Sequence, residues 1–265
     1  MTADISNMAS IMQDHAKDTV SDKYTFIPTT RIIDVLARKG WYPAVAREAW
    51  AKPENRGFQK HMVRFRQERQ DSIITLDKVV PEIVVTNSHG GASSFQLMAG
   101  LFRFICLNGM VVADSTFAKH SIKHLGYADV QVLDAVDMMM DTTPRIANRV
   151  HDFQQIELSK DEQNVYAMAS LLVKYGEEEM ERRTFDTDRL LRPRRVEDQA
   201  PTLWATYNRI QEKMIQGGSQ YERTKQGKLA PKQRKVSSVT EDVRINQGLW
   251  MITEQMAKMK GATIQ

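Results

Sequence analysis

The apolar residues change period near residue 128, and that change constrains the fold more than any other feature of the chain. Upstream, His61-Met-Val-Arg-Phe-Arg66 alternates, with Val63 and Phe65 on one side and Arg64 and Arg66 on the other, which is the two-residue period of a strand. Tyr24–Ile27, Tyr42–Trp50, Glu82–Thr86, Gln96–Leu107 and Met110–Ala113 read as further strands, and Phe117–Leu125 extends the set. Asn108-Gly109 is a hairpin signal between two of them. A helix enters at Pro28-Thr29-Thr30, carries Ile32, Ile33, Val35 and Leu36, and stops at Gly40.

Downstream, Val130, Leu133, Val136, Asp137 and Met140 have helical spacing, and Ser159-Lys-Asp-Glu162 has the form of a capping box opening a helix to about Val173. Leu203–Ile215 predicts an amphipathic helix closed by Gly217-Gly218, and Thr240-Glu-Asp opens a last one. Strands followed by helices, rather than the two alternating, predict an α+β fold with a mostly antiparallel sheet and a helical C-terminal half. The expected organisation is an N-terminal arm over 1–22, a sheet-containing core over 23–127, and a helical region over 128–265 packed on that core as one unit. Residues 182–200 read as a charged linker, and 219–238 as a flexible, exposed basic loop.

Composition excludes several classes. With 42% hydrophobic and 26% charged residues the chain is neither disordered nor supercharged. A single cysteine, Cys106, forbids an internal disulfide, and its apolar neighbours make it a structural thiol. The N-terminus lacks a signal-peptide pattern and no apolar run is long enough to cross a membrane, so a reducing cytoplasm is expected, with no membrane partner.

No catalytic signature is readable. There is no Walker loop, dinucleotide fingerprint, zinc finger or metalloprotease motif, so no cofactor or metal is expected. His120 and His124 are four apart, but no third ligand has matching spacing. Asn87-Ser88-His89-Gly90-Gly91 places a serine beside a histidine, yet adjacent residues of an extended chain point apart. A polar turn explains it better than a nucleophile and base, though the glycine amides leave a ligand-holding role open. Arg103, inside an apolar strand, either faces solvent or requires an anionic partner.

The net charge of +4 conceals blocks. Residues 31–69 hold ten Lys/Arg against four Asp/Glu, 182–195 hold six against two, and 222–235 hold six against one. Residues 153–181 are acidic, with seven Asp/Glu against two Lys. Basic blocks favour phosphate through counterion release, and aromatic side chains among them are what single-strand binders use as platforms. Charge runs are also ordinary solvated faces, and strand aromatics are ordinarily core. The candidate phosphate contacts are Arg31, Lys39, Arg47, Lys52, Arg56, Lys60, Arg64 and Arg66, with Lys225, Lys228, Lys232, Arg234 and Lys235 in the later block. Trp41, Tyr42 and Phe58 are the candidate stacking platforms.

Val85-Thr-Asn-Ser-His-Gly-Gly-Ala-Ser-Ser-Phe-Gln-Leu97 followed by Ala99–Val112 resembles the DUF932 (phage/plasmid-like) family, as do Arg195–Gly218 and Asn246-Gln-Gly-Leu-Trp250. The resemblance spans roughly 24–258 and implies a protein of phages, plasmids or integrated elements whose function is unknown. The family pattern carries Asp where this chain has Gly90. The order strand, helix, then successive strands is also similar to the core of Rad52-type annealing proteins, which implies a homo-oligomer. Two functions from different classes follow: a non-enzymatic single-stranded DNA-binding or annealing protein, and an anti-defence or host-takeover protein that binds a host defence protein.

Overall fold

The computed structural model describes residues 3–67, 79–104, 108–112, 120–122 and 129–262. Cys106 and His124 lie outside them, as does most of the segment 117–125. Contacts divide the chain into two compact units, Met1–Arg145 and Ile146–Gln265, rather than the single unit expected from the sequence. The junction falls inside a helix rather than where the strands end.

The first unit is built on a six-stranded antiparallel sheet. Its strands are β1 (Trp41–Glu48), β2 (His61–Gln67), β3 (Val79–Asn87), β4 (Phe95–Arg103), β5 (Asn108–Val111) and β6 (His120–Ile122). The first five follow one another as neighbours, and β6 pairs with Phe95–Leu97 of β4 while β5 pairs with Gly100–Arg103. All nine residues of β3 are buried, so the central strand is covered on both faces. Asn108-Gly109 does not form the hairpin tip. Both residues lie within β5, opposite Arg103 and Phe102. Gly109 serves packing instead, because a Cβ there would stand 2.7 Å from the Arg64 guanidinium carbon.

Two helices precede the sheet: α1 (Ala9–Met12) and α2 (Thr29–Arg38). Residues 3–22 are no loose arm. Ile11 and Ser10 are buried, and Ser10 donates from N and Oγ to Glu48 Oε2 at 3.2 and 2.9 Å. Tyr24–Ile27 forms no strand, because the Ile27 carbonyl accepts from the Asn87 side chain instead of joining a ladder. A long helix, α3 (Asp129–Gln155), then runs across the unit boundary.

The second unit is helical. It contains α4 (Lys160–Tyr175), α5 (Glu177–Arg182), α6 (Thr187–Leu191), α7 (Leu203–Gln216) and α8 (Val239–Met259). Ser159 and Glu162 close the expected capping box reciprocally. α7 departs from the amphipathic expectation, since every residue from Leu203 to Ile215 is buried and the helix forms the centre of the unit. The expected linker over 182–200 is ordered structure: α6 buries Leu190 and Leu191, and Asp198 is buried after it. The expected loop over 219–238 is an irregular hairpin. β7 (Thr184–Phe185) pairs with β8 (Glu222–Arg223), and Tyr221 is fully buried. Among the described residues no helix is long and apolar enough to cross a membrane.

Candidate functional site

The first basic block does not form one surface. Arg64 is buried and donates from Nη1 to Glu82 Oε2 at 2.7 Å and to the Met110 carbonyl at 3.1 Å. Arg66 donates from Nε to Glu82 Oε1 at 2.7 Å, and its guanidinium lies 3.4 Å from the centroid of the Phe102 ring. One buried carboxylate thus engages both arginines, with Arg64 buried and Arg66 half-buried. Lys39 pairs with Asp137. Arg31 is exposed, and Arg47 and Lys60 are half-buried; all three have partners within the chain. Lys52 and Arg56 are exposed and make no ion pair among the described residues. Trp41 is core, 2% exposed, and is no stacking platform. Tyr42 is half-buried, as is Phe58, which meets His15 edge-on at 5.7 Å. Among the described residues of this block the exposed aromatic is Trp50, 84% accessible just before Lys52. Its exposure was not readable from a run in which Trp41 and Trp50 look equivalent.

The turn Asn87–Gly91 proves to be a fastener. Asn87, Ser88 and His89 are fully buried. Asn87 Nδ2 donates to the Ile27 carbonyl at 2.9 Å and to Thr29 Oγ1 at 3.1 Å. Tyr24 Oη donates to the Ser88 carbonyl, Lys17 N to the His89 carbonyl, and His89 N to the Phe58 carbonyl. Ser88 Oγ turns to Ser93, and the His89 ring packs on Phe26 and His61. Serine and histidine therefore point to different neighbours, and neither meets solvent. Burial pushes the Tyr24 phenol up to about 12, which keeps it a neutral donor.

Beside this turn, Thr29 Oγ1 lies 2.8 Å from His61 Nε2, and His61 Nδ1 lies 3.3 Å from the Gln59 carbonyl. A carbonyl only accepts, so Nδ1 carries the proton and Nε2 accepts from the threonine. Burial pushes His61 down to about 4. The unfolded imidazole, with its ordinary value of 6.5, takes up a proton first as pH falls. This contribution to stability is therefore complete above 6.5 and is lost progressively towards 4, by about 3 kcal/mol from a depression of this size. Urea unfolding of the wild type should weaken more steeply between pH 7 and pH 4.5 than that of His61→Asn. Parallel pH profiles would show that His61 is not the titrating group.

The middle basic block is mostly paired internally, though Arg192 is exposed and makes no ion pair among the described residues. Arg182 and Arg183 pair with Glu178 and Glu179, and Arg183 also pairs with Glu222. Arg189 and Arg223 converge on Asp186, and Arg194 and Arg195 converge on Glu212 of α7. These guanidiniums hold Glu212 below its ordinary carboxylate value against the opposing effect of burial. Lys213 Nζ is surrounded by the carbonyls of Arg189, Leu190 and Arg192, and burial pushes it down to about 7.

The last block differs. The hairpin backbone is tied down by Gly218 N to the Gln233 carbonyl, Gln233 N to the Ser219 carbonyl, Ala230 N to the Glu222 carbonyl, and Val236 N to the Ile215 carbonyl, each at 2.8 Å. Gly217, at φ +69°, lets it approach: a Cβ there would lie 2.5 Å from the Gln233 carbonyl oxygen. On this frame Lys225, Lys228, Lys232, Arg234 and Lys235 are all exposed, with no ion pair among the described residues. Arg103, by contrast, is 1% exposed, which removes the solvent-facing alternative. His120 lies in β6, and no metal-binding group of three ligands occurs among the described residues.

The domain of unknown function DUF932 matches residues 16–250. The chain belongs to the DUF932 family. Two relatives from Escherichia coli (strain K12), UPF0380 protein YfjQ and UPF0380 protein YafZ, are each 34% identical over 248 residues, covering 93% of this chain and 87% of theirs. No solved structure matches. In this DUF932 chain the residues that carry the resemblance are mostly interior. Asn87 and His89 fasten the N-terminal segment, Asn246 accepts from Gln211, and Trp250 donates to Glu254, which also binds Arg149. Gly90 stands where a Cβ would come 3.3 Å from the Phe58 carbonyl oxygen, so the turn lies close against Phe58.

Proposed function

We propose that this DUF932 chain is a non-enzymatic nucleic-acid-binding protein of a mobile element, holding single-stranded DNA through its phosphates in recombination or replication. The observation that carries the reading is the set of five exposed cations, Lys225, Lys228, Lys232, Arg234 and Lys235, on a hydrogen-bonded hairpin. A fixed backbone lowers the ordering entropy of binding, and cations without internal partners are available for counterion exchange. Resemblance to a family of phages and plasmids supports the mobile-element setting. The helix followed by an antiparallel meander keeps part of the element order likened to Rad52-type annealing proteins, without the leading strand expected at Tyr24–Ile27, and the homo-oligomer is proposed on that partial order.

Separately, within the first unit, exposed Trp50 with Lys52 and Arg56 following it is the element to which this reading assigns base stacking. Trp50→Ala should weaken binding of a fluorescent oligo-dT by about 1–3 kcal/mol, the usual value of one base–aromatic stack. Trp41→Phe, a core change, should leave affinity per folded molecule unaltered. Anisotropy at low salt checks both, and an unaffected Trp50→Ala protein would remove Trp50 from the interface. Gel filtration with and without the oligonucleotide tests the oligomer: a particle that enlarges with DNA supports annealing, and an unchanging monomer argues against it.

A further inference from the structure

α4 and α8 pack antiparallel. Tyr166 Oη lies 2.8 Å from Thr253 Oγ1, Lys260 bonds Glu162 at one end, and Arg244 bonds the Val173 and Lys174 carbonyls at the other. Gly248 allows the close approach, since a Cβ there would lie 2.5 Å from Val173 Cγ1. Along the outer side run two adjoining hollows of about 460 and 500 Å³, which share Val165 and Ala169. The first continues onto Met251 and Met259 of α8, and the second onto Met168, Leu172 and Met180. Val165, Met168, Leu172, Met251 and Met259 are all exposed, from 43% to 80%. Large apolar side chains gathered in two adjoining open hollows mark an interaction face, and methionines adapt to the shape of what they meet.

The first hollow follows α8 from Gly248 to Met259, roughly 17 Å of helix, enough for about three turns of a helix laid beside it. The charge around the two hollows is uneven. Met180 of α5 closes the second hollow, and that short helix carries Glu177, Glu178, Glu179 and Glu181. Glu178 and Glu179 pair with Arg182 and Arg183, while Glu177 and Glu181 make no ion pair among the described residues. We infer that the exposed face of α4, with the hollow towards α8 on one side and the hollow towards α5 on the other, docks an amphipathic helix of a protein partner, apolar where it meets the methionines and carrying Lys or Arg over the α5 carboxylates. This is the helix-in-groove mode, with anchors at i, i+3 or i+4 and i+7. It uses a different part of the second unit from the basic hairpin and stands or falls separately from nucleic-acid binding.

The test uses the full chain and three labelled peptides of about 14 residues: a Leu/Lys amphipathic helix, its Leu/Glu counterpart, and a scrambled Leu/Lys sequence of equal charge. Anisotropy at near-physiological salt should favour the amphipathic Leu/Lys peptide by about tenfold or more over both controls, a difference that steric fit and charge supply together. Met168→Gln with Leu172→Gln, both at exposed positions, should lower that affinity about tenfold while leaving the circular dichroism unchanged. Glu177→Gln with Glu181→Gln should reduce the preference for Lys over Glu. The inference is overturned if the scrambled peptide binds as well, if no peptide binds, or if the Met168/Leu172 variant binds unchanged. It is also overturned if the Leu/Glu peptide loses as much affinity in that variant as the Leu/Lys peptide. Self-association in sedimentation that Leu172→Gln abolishes would likewise overturn it, because the face would then be covered by a second copy.

Discussion

Glu82→Ala is expected to destabilise the sheet unit by about 3–5 kcal/mol, the usual penalty for removing one partner of a buried ion pair. The Glu82 side chain has no solvent exposure, and that of Arg64 has 5%. Both oxygens are used: Oε2 accepts from Arg64 and Oε1 from Arg66, each at 2.7 Å. Without the carboxylate, two guanidiniums face each other in the sheet. Arg64 retains the Met110 carbonyl but no countercharge from Glu82, and Gly109 lies against its guanidinium, so the side chain has little room to swing out. A domain's whole stability is about 5–15 kcal/mol, so this single change is large. The triple substitution Arg64→Met, Arg66→Met, Glu82→Leu should recover most of the loss, because an apolar triad of similar volume removes the desolvation problem altogether. Urea unfolding, with amide exchange of β2 and β3 to localise the effect, measures both. A loss under about 1 kcal/mol for Glu82→Ala would show that water reaches the guanidiniums.

That triad also shows where sequence reasoning stops. The alternation of β2 placed Arg64 and Arg66 on one face, and they share it. Their partner lies on the next strand, 16 to 18 residues away, and a sum over a segment cannot see it. The same arithmetic treated Arg194 and Arg195 as free charge although both converge on Glu212. Signals carried within a few residues were legible. The Ser159–Glu162 capping box, the stop at Gly40 and the closure of α7 by Gly217 each depend on local hydrogen bonds or a local backbone angle. Signals that depend on tertiary packing were not. Asn108-Gly109 resembles a hairpin tip, but Gly109 is needed for its missing side chain over Arg64 rather than for a turn. Leu190-Leu191 is too short a run to show a helical period, so in the sequence α6 reads as linker. The antiparallel sheet and helical half were readable because the period of burial persists over many residues, whereas the exposure of Trp50 against the burial of Trp41 depends on contacts the sequence does not display.

Neutralising Lys225, Lys228, Lys232, Arg234 and Lys235 together is expected to remove most single-stranded DNA affinity while leaving the fold intact. All five side chains are exposed, and the hairpin is held by backbone hydrogen bonds and by buried Tyr221, none of which the substitutions touch. Five phosphate contacts on a single strand give a slope of log K against log salt near −3.5, at about −0.7 for each. Raising salt from about 50 to 200 mM should therefore weaken the wild type about a hundredfold, and the quintuple glutamine variant should show almost no slope from this segment. Any slope that remains measures cations outside this segment, Lys52 and Arg56 among them. The size of the change in slope matters more than the loss of affinity, because a misfolded variant would lose binding at every salt concentration without reporting a number of released ions. An oligo-dT titration in which wild type and variant share one slope would exclude the hairpin as the phosphate-binding surface. Absence of binding by the wild type at about 50 mM salt, where such contacts are strongest, would exclude the nucleic-acid reading itself.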